Sequence, residues 1–172
     1  MRPTAPADRS TTISGAAERS CAGTALVELT IIVPTLNERG NLMPLIDRLE
    51  RALAGIRWEV IFVDDDSRDG SADVLRDLQQ RLPHVRAIRR IGRRGLSSAC
   101  IEGMLASAAP YLAVMDADLQ HDETILPEMM RRLQQSNLDI VIGSRFASDG
   151  NANAGFSQRR LWLSLLGRRS VA

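Results

Sequence analysis

The sequence predicts an α/β fold with a mostly parallel sheet flanked by helices, and three observations carry that prediction. From Leu26 onward, short apolar and β-branched runs alternate with longer segments of helical period. The short runs are continuously apolar rather than alternating, as in strands buried on both faces. The residues directly after them are polar and often acidic, which gathers reactive groups along one rim of the sheet.

Taken in order, the predicted strands are Val27–Val33, Val60–Val63 after Trp58, a weaker Val85–Ile88, Tyr111–Met115 and Asp139–Ile142. Between them lie helical stretches. Leu42, Leu45, Ile46, Leu49 and Leu53 form one stripe, and similar stripes run through Val74–Leu82, Leu96–Ala108 and Ile125–Leu133. Residues 1–24, rich in Ala, Ser, Thr, Pro and Arg, read as a flexible tail with too little apolar surface to offset ordering entropy. Residues 25–172 read as one domain, since a chain of 172 residues can bury one real core and not two.

Composition narrows the function. A net charge of +1 gives no global attraction to nucleic acid, and an aromatic content of 3% leaves little for stacking on single strands. No nucleic-acid partner is expected. All 22 basic residues are Arg, so any cationic contact is a guanidinium. Cys21 and Cys100 have neither metal-site spacing nor a disulfide framework, and Cys100 falls in an apolar helix stripe. With no apolar run fit for a signal peptide and none near ~20 residues, the expected setting is cytoplasmic. His84 and His121 have no ligand partner at helical spacing, and no Ser/His/Asp or Cys/His signature is present.

The rim segments are Pro34–Glu38 (PTLNE), Asp64–Gly70 (DDDSRDG), Asp116–Asp122 (DADLQHD) and Gly143–Phe146 (GSRF). Asp116 and Asp118 leave a buried strand together, with Gln120 behind them. Two hard oxygen ligands there suit Mg²⁺ or Mn²⁺ bound with a substrate phosphate; equally, the acids end the strand and cap the helix near Glu123. In Asp64–Ser67 the adjacent acids repel one another, which favours a cation or hydrogen-bond donors between them. Asp65 reads as the ligand contact and Asp66–Gly70 as the turn. Pro34 is expected to stop the first strand's ladder, and Asn37 either contacts a ligand or caps the next helix. Arg145 is placed for bidentate phosphate binding. Arg93–Ser98 opens a helix, as a solvated loop or as a phosphate-binding N-terminus.

In this order, VPTLNERGNL, FVDDDSRDGS, GLSSACIEGM, VMDADLQHDE and IVIGSRF resemble the family 2 glycosyltransferases, and among them the polyprenyl-phosphate transferases, over about residues 28 to 160. The resemblance implies a GT-A fold, a nucleotide-sugar donor, Mg²⁺ or Mn²⁺, and inversion at the anomeric carbon. It implies transfer of a hexose, mannose first, from GDP-mannose or a UDP-hexose to a dolichyl-type polyprenyl phosphate at a membrane surface. The other readings are a saccharide or other hydroxyl acceptor, and a non-catalytic nucleotide-binding domain.

By position, Pro34, Leu36 and Glu38 match the opening nucleotide contact, with Leu36 standing where the family commonly has Tyr. Val63 and Asp65 match the base- and ribose-binding pair. Asp116, Asp118 and Gln120 match the metal and diphosphate positions, and Ala117 the backbone contact between them. Arg145 matches an arginine near the donor phosphates, so Asp118 and Arg145 are the catalytic candidates. Gly95-Leu96-Ser97 resembles a GLG turn with Ser for the second Gly. Family members continue beyond GSRF with acceptor-site sequence, further strands and often membrane helices, so an incomplete domain is expected. The final Phe156–Arg169 stretch reads as an interfacial helix or a core helix, with Arg159 or Arg160 available to an acceptor phosphate.

Overall fold

A computed structural model describes residues 26–136 and 138–143. Four parallel strands form one sheet: β1 (Leu29–Thr35), β2 (Trp58–Asp64), β3 (Val85–Arg89) and β4 (Tyr111–Val114), in the order β3-β2-β1-β4. The helices are α1 (Leu42–Ala52), α2 (Ser71–Arg81), α3 (Leu96–Leu105) and α4 (Leu126–Gln135), the last entered through a 3₁₀ turn at Glu123–Ile125. The chain builds outward from β1 to β3, then crosses back to place β4 on the other side of β1. The order reverses between β1 and β4, and in open parallel sheets ligands bind at that switch point, outside the carboxyl ends of the strands.

Right-handed crossovers put α1 and α2 on one face and α3 on the other. Ile31, Val33, Val60 and Phe62 pack under the fully buried Leu42, Leu45, Ile46 and Leu49 of α1 and Leu75 and Leu78 of α2. Each such side chain contributes roughly 1.5–3 kcal/mol. The opposite face is thinner: the buried residues of α3 that cover Ile32, Ile61 and Val63 are only Ala99 and Gly103. There α3 gains its place by close approach, because a Cβ on Gly103 would come within 2.5 Å of Ile32 Cγ2.

Pro34 does not stop the ladder as expected. It lies inside β1, in register with Val63. Met115 N–H donates to Ile32 O and Asp65 N–H to Thr35 O, so even-numbered positions of β1 face β4 and odd ones face β2. The N–H that Pro34 lacks would point past the end of β4, where no ladder is left to break.

The expected strand Asp139–Ile142 is absent: these residues carry no ladder, and Ile140 and Ile142 are 74% and 78% exposed. A run buried on both faces needs a layer on each side. On the β4 side, Leu112 and Val114 are exposed, because α3 packs over β1 and β2 and stops short of them. The segment instead lies by β4 and α4, around a cavity of about 380 Å³ lined by Val114, Ile125, Met129 and Ile142 among others. The readings for residues 1–24, Arg145, Arg159, Arg160 and Phe156–Arg169 lie outside the described residues.

Candidate active site

The loop after β1 is tied to the loop after β2. Asn37 N–H donates to Ser67 Oγ at 2.8 Å, while Asn37 Oδ1 accepts from Arg68 N–H at 2.9 Å. Asn37 is therefore a cross-link between two rim loops and not a helix cap; the cap position of α1 is Asn41, whose side chain donates to Glu38 instead. One residue further, Arg39 N–H donates to Asp69 Oδ2 at 2.9 Å. Burial pushes the Asp69 carboxyl up, but the Ser71 hydroxyl and the N–H groups of Arg39 and Ser71 outweigh it and hold the group below its ordinary value. Leu36 stands exposed on this rim, and the fully buried Val63 side chain belongs to the core, leaving only its backbone to meet a ligand.

Asp64, Asp65 and Asp66 divide their tasks. Asp64 is buried and accepts from the N–H and hydroxyl of Ser67, closing the turn. Asp66 pairs with Arg89 at 2.8 Å. Asp65 is only 7% exposed and reaches across to the loop after β3. Its Oδ2 accepts Gly95 N–H at 2.7 Å, and its Oδ1 lies 3.0 Å from Arg90 Nη1 as an ion pair without hydrogen-bond alignment. Arg90, 2% exposed, also donates to Gly95 O and Ser98 Oγ and sits 3.4 Å from Glu102. The expected ligand contact is thus first a brace for the Gly95 turn.

Arg90 escaped the sequence reading because it stands in the Arg89-Arg90 pair, where composition does not separate a buried guanidinium from an exposed one. Gly95 needs its freedom, at φ +135°, whereas Ser97 is already helical. Ser in place of the second glycine of a GLG turn therefore costs the backbone nothing here. Arg93 pairs with Glu102 at 3.0 Å.

At the end of β4, burial alternates. Met115 and Ala117 enter the core while Asp116 and Asp118 are exposed, so the two carboxylates leave the strand on the side away from that core. Asp118 Oδ1 accepts Gln120 N–H at 3.0 Å, and Asp116 Oδ2 lies 3.3 Å from His121 Nε2. The helix-capping role belongs to Asp122, which accepts from Thr124 N–H. Asp116 and Asp118 are thereby left for other work. Burial, then the charge of Asp116, pushes the Cys100 thiol up, so α3 runs within electrostatic reach of this rim and holds no reactive thiolate.

Among the described residues, no cluster of three or more His, Cys, Asp or Glu side chains is arranged to hold a metal ion. Two exposed carboxylates on one rim suit a hard cation that keeps waters and takes its other ligands from a diphosphate. The donor set fits Mg²⁺ or Mn²⁺ on those terms.

A parallel α/β sheet with acidic loops at its switch point defines a class of open α/β domains that take their ligands at that rim. The glycosyl transferase family 2 model matches residues 30–170, and the chain belongs to that family. A dolichol-phosphate mannosyltransferase of Pyrococcus furiosus is 40% identical over 124 residues, 72% of this chain and 35% of the relative. The Saccharomyces cerevisiae dolichol-phosphate mannosyltransferase is 37% identical over 70% of this chain and 46% of its own length. The chain thus spans between about a third and a half of these relatives. The fold matches the mannosyltransferase PcManGT from Pyrobaculum calidifontis, solved with GDP-Man and Mn²⁺, at a TM-score of 0.57 and 23% identity over 67% of this chain and 34% of that one. It also matches S. aureus TarS at 0.54 and 18% identity, over 70% and 40%. This likeness establishes the GT-A type of fold. Among the described residues no helix is long and apolar enough to cross a membrane.

Proposed function

We propose that this chain carries the donor site of a mannosyltransferase that moves mannose from GDP-mannose, with a divalent cation, to a polyprenyl phosphate. The observation that carries the reading is the Asp116/Asp118 pair, turned away from the core at the switch point in a family 2 chain. Relatives at 37–40% identity that bear the dolichol-phosphate mannosyltransferase name support the sugar and the acceptor.

Cleaving a sugar–phosphate bond builds negative charge on the leaving diphosphate, and a bound cation would stabilise that charge. Asp116 and Asp118 would hold the cation, with the Gln120 N–H orienting Asp118. The loops after β1 and β2 flank the nucleoside, with Leu36 and Glu38 on the first. Asp65 acts through the Gly95 turn it braces. An acceptor that is already a phosphate is anionic and attacks without a strong general base. Attack opposite the leaving diphosphate inverts the anomeric carbon.

Thermal unfolding of the full chain with GDP-mannose, UDP-sugars, Mn²⁺ and chelator tests the donor half. A ligand at about 100 times its dissociation constant adds about 2.7 kcal/mol. A Mn²⁺-dependent shift with GDP-mannose, lost in Asp118→Asn, is the expected result; an undiminished shift in that variant refutes the site. Detergent-dependent transfer of labelled mannose to a polyprenyl phosphate rather than to a saccharide tests the acceptor.

A further inference from the structure

Leu119, between Asp118 and Gln120, has φ +61°, in the left-handed region that a bulky residue rarely occupies. Such a conformation persists only where surrounding contacts over-determine it. Part of the hold is local: Gln120 N–H to Asp118 Oδ1, and the Leu119 side chain packed on the core. The rest comes from 71 residues away, where Arg48 Nη1 on α1 donates to Leu119 O at 3.1 Å.

The same nitrogen lies 3.5 Å from Glu123 Oε1. Glu123 is 5% exposed, and that oxygen is fully buried with no hydrogen-bond partner among the described residues. A carboxylate this deep needs a nearby cation, and Arg48 supplies it. One guanidinium therefore fastens both the turn that carries Asp118 and the start of the segment leading into α4. An ordinary surface ion pair would touch neither a strained carbonyl nor a buried oxygen.

We propose that Arg48 is a positioning residue for the cation site: it fixes the Leu119 turn, and through it the spacing of Asp116 and Asp118. This rests on the reading that the Asp116/Asp118 rim binds a divalent cation with the donor diphosphate. Outer groups that orient metal ligands typically change metal affinity 10- to 100-fold when removed. Because Arg48 acts on the turn and not on the ion, the lower end applies.

The test is Mn²⁺ binding to the full chain with GDP, read from the electron paramagnetic resonance signal of free Mn²⁺. Metal-free thermal unfolding runs in parallel. Arg48→Met keeps the stem on α1 and removes the donors; it is expected to weaken Mn²⁺ binding about tenfold. Arg48→Lys, which keeps a cation and a donor, restores most of the affinity. Arg51→Met, one turn along the same helix, leaves it unchanged. Should Arg48→Met lose its cooperative transition, Arg48→Gln carries the test with an intermediate loss. Wild-type Mn²⁺ affinity in folded Arg48→Met or Arg48→Gln, beside a loss in Asp118→Asn, overturns the proposal. Unchanged affinity in Asp118→Asn instead overturns the reading beneath it.

Discussion

Arg90→Met should be among the most damaging single changes in this chain that leave the apolar core intact. The guanidinium is 2% exposed and meets Asp65, Gly95 O, Ser98 and Glu102. Removing one member of a buried pair costs about 3–5 kcal/mol, because the other charge stays buried without compensation. Two contacts soften the loss: Glu102 keeps Arg93 at 3.0 Å, and Asp65 keeps Gly95 N–H at 2.7 Å. The lower end of that range, about 3 kcal/mol, is therefore expected. At roughly 2–4 °C per kcal/mol for a chain of this size, the midpoint falls by about 6–12 °C. Circular dichroism melts of wild type, Arg90→Met, Asp65→Asn and the double variant complete the cycle. The double variant should be much less damaged than the sum of the singles, since it leaves no orphaned charge between them. Arg76→Met, which breaks the exposed pair with Asp73, should cost no more than about 0.5 kcal/mol. If Arg90→Met costs under about 1 kcal/mol, or the cycle is additive, Asp65 does not depend on Arg90.

Two further outcomes bear on the scaffold and its pH dependence. Gly103→Ala gains about 1 kcal/mol of helix propensity, but its Cβ would sit 2.5 Å from the stiff, fully buried Ile32 side chain. Overpacking of that kind costs about 1–3 kcal/mol, so the melt should fall by a few degrees, while Gly40→Ala, with nothing within 4 Å, should not fall. A Gly103→Ala melt at or above wild type would mean that α3 rides higher on the sheet. The Asp69 carboxyl is held below its ordinary value when folded, so its contribution is fully present above about pH 4 and is lost as pH falls through the folded value. Asp69→Asn should start less stable at neutral pH and lose less on acidification below about pH 4; parallel curves for the two proteins would exclude Asp69 as an acid-sensitive tie.

What the sequence disclosed and what it concealed differ by how local the determinant is. Strands such as Val60–Val63 and the α1 stripe announce themselves through apolar spacing, which burial then satisfies. The exposure of Asp116 and Asp118 follows from the same logic, because a carboxylate is tolerated in a core only with partners such as those that Ser67 gives Asp64 and Arg90 gives Asp65. Asn37 and Arg90 gave no such signal, since their partners lie 30 and 25 residues away and only the sheet brings them together. Asp139–Ile142 misled for the converse reason: its pattern is right for a strand, but a strand also needs a neighbour and a covering layer, and neither is written in those four residues.

The rim is set before any ligand arrives. Three residues other than glycine have positive φ among the described residues, namely Asn37, Asp66 and Leu119, and they fall in the loops after β1, β2 and β4. Backbone strain of this sort costs on the order of 1–3 kcal/mol at each position and clusters where geometry is put to use. Each is held by a group from another element: Asn37 by Ser67 and Arg68, Asp66 by Arg89, Leu119 by Arg48. Such cross-links stabilise a fold poorly for the strain they hold, but they fix loop positions to within a hydrogen bond. A site that must place a cation against a diphosphate gains from that, because carboxylates already in position need no reorganisation as charge moves onto the leaving group.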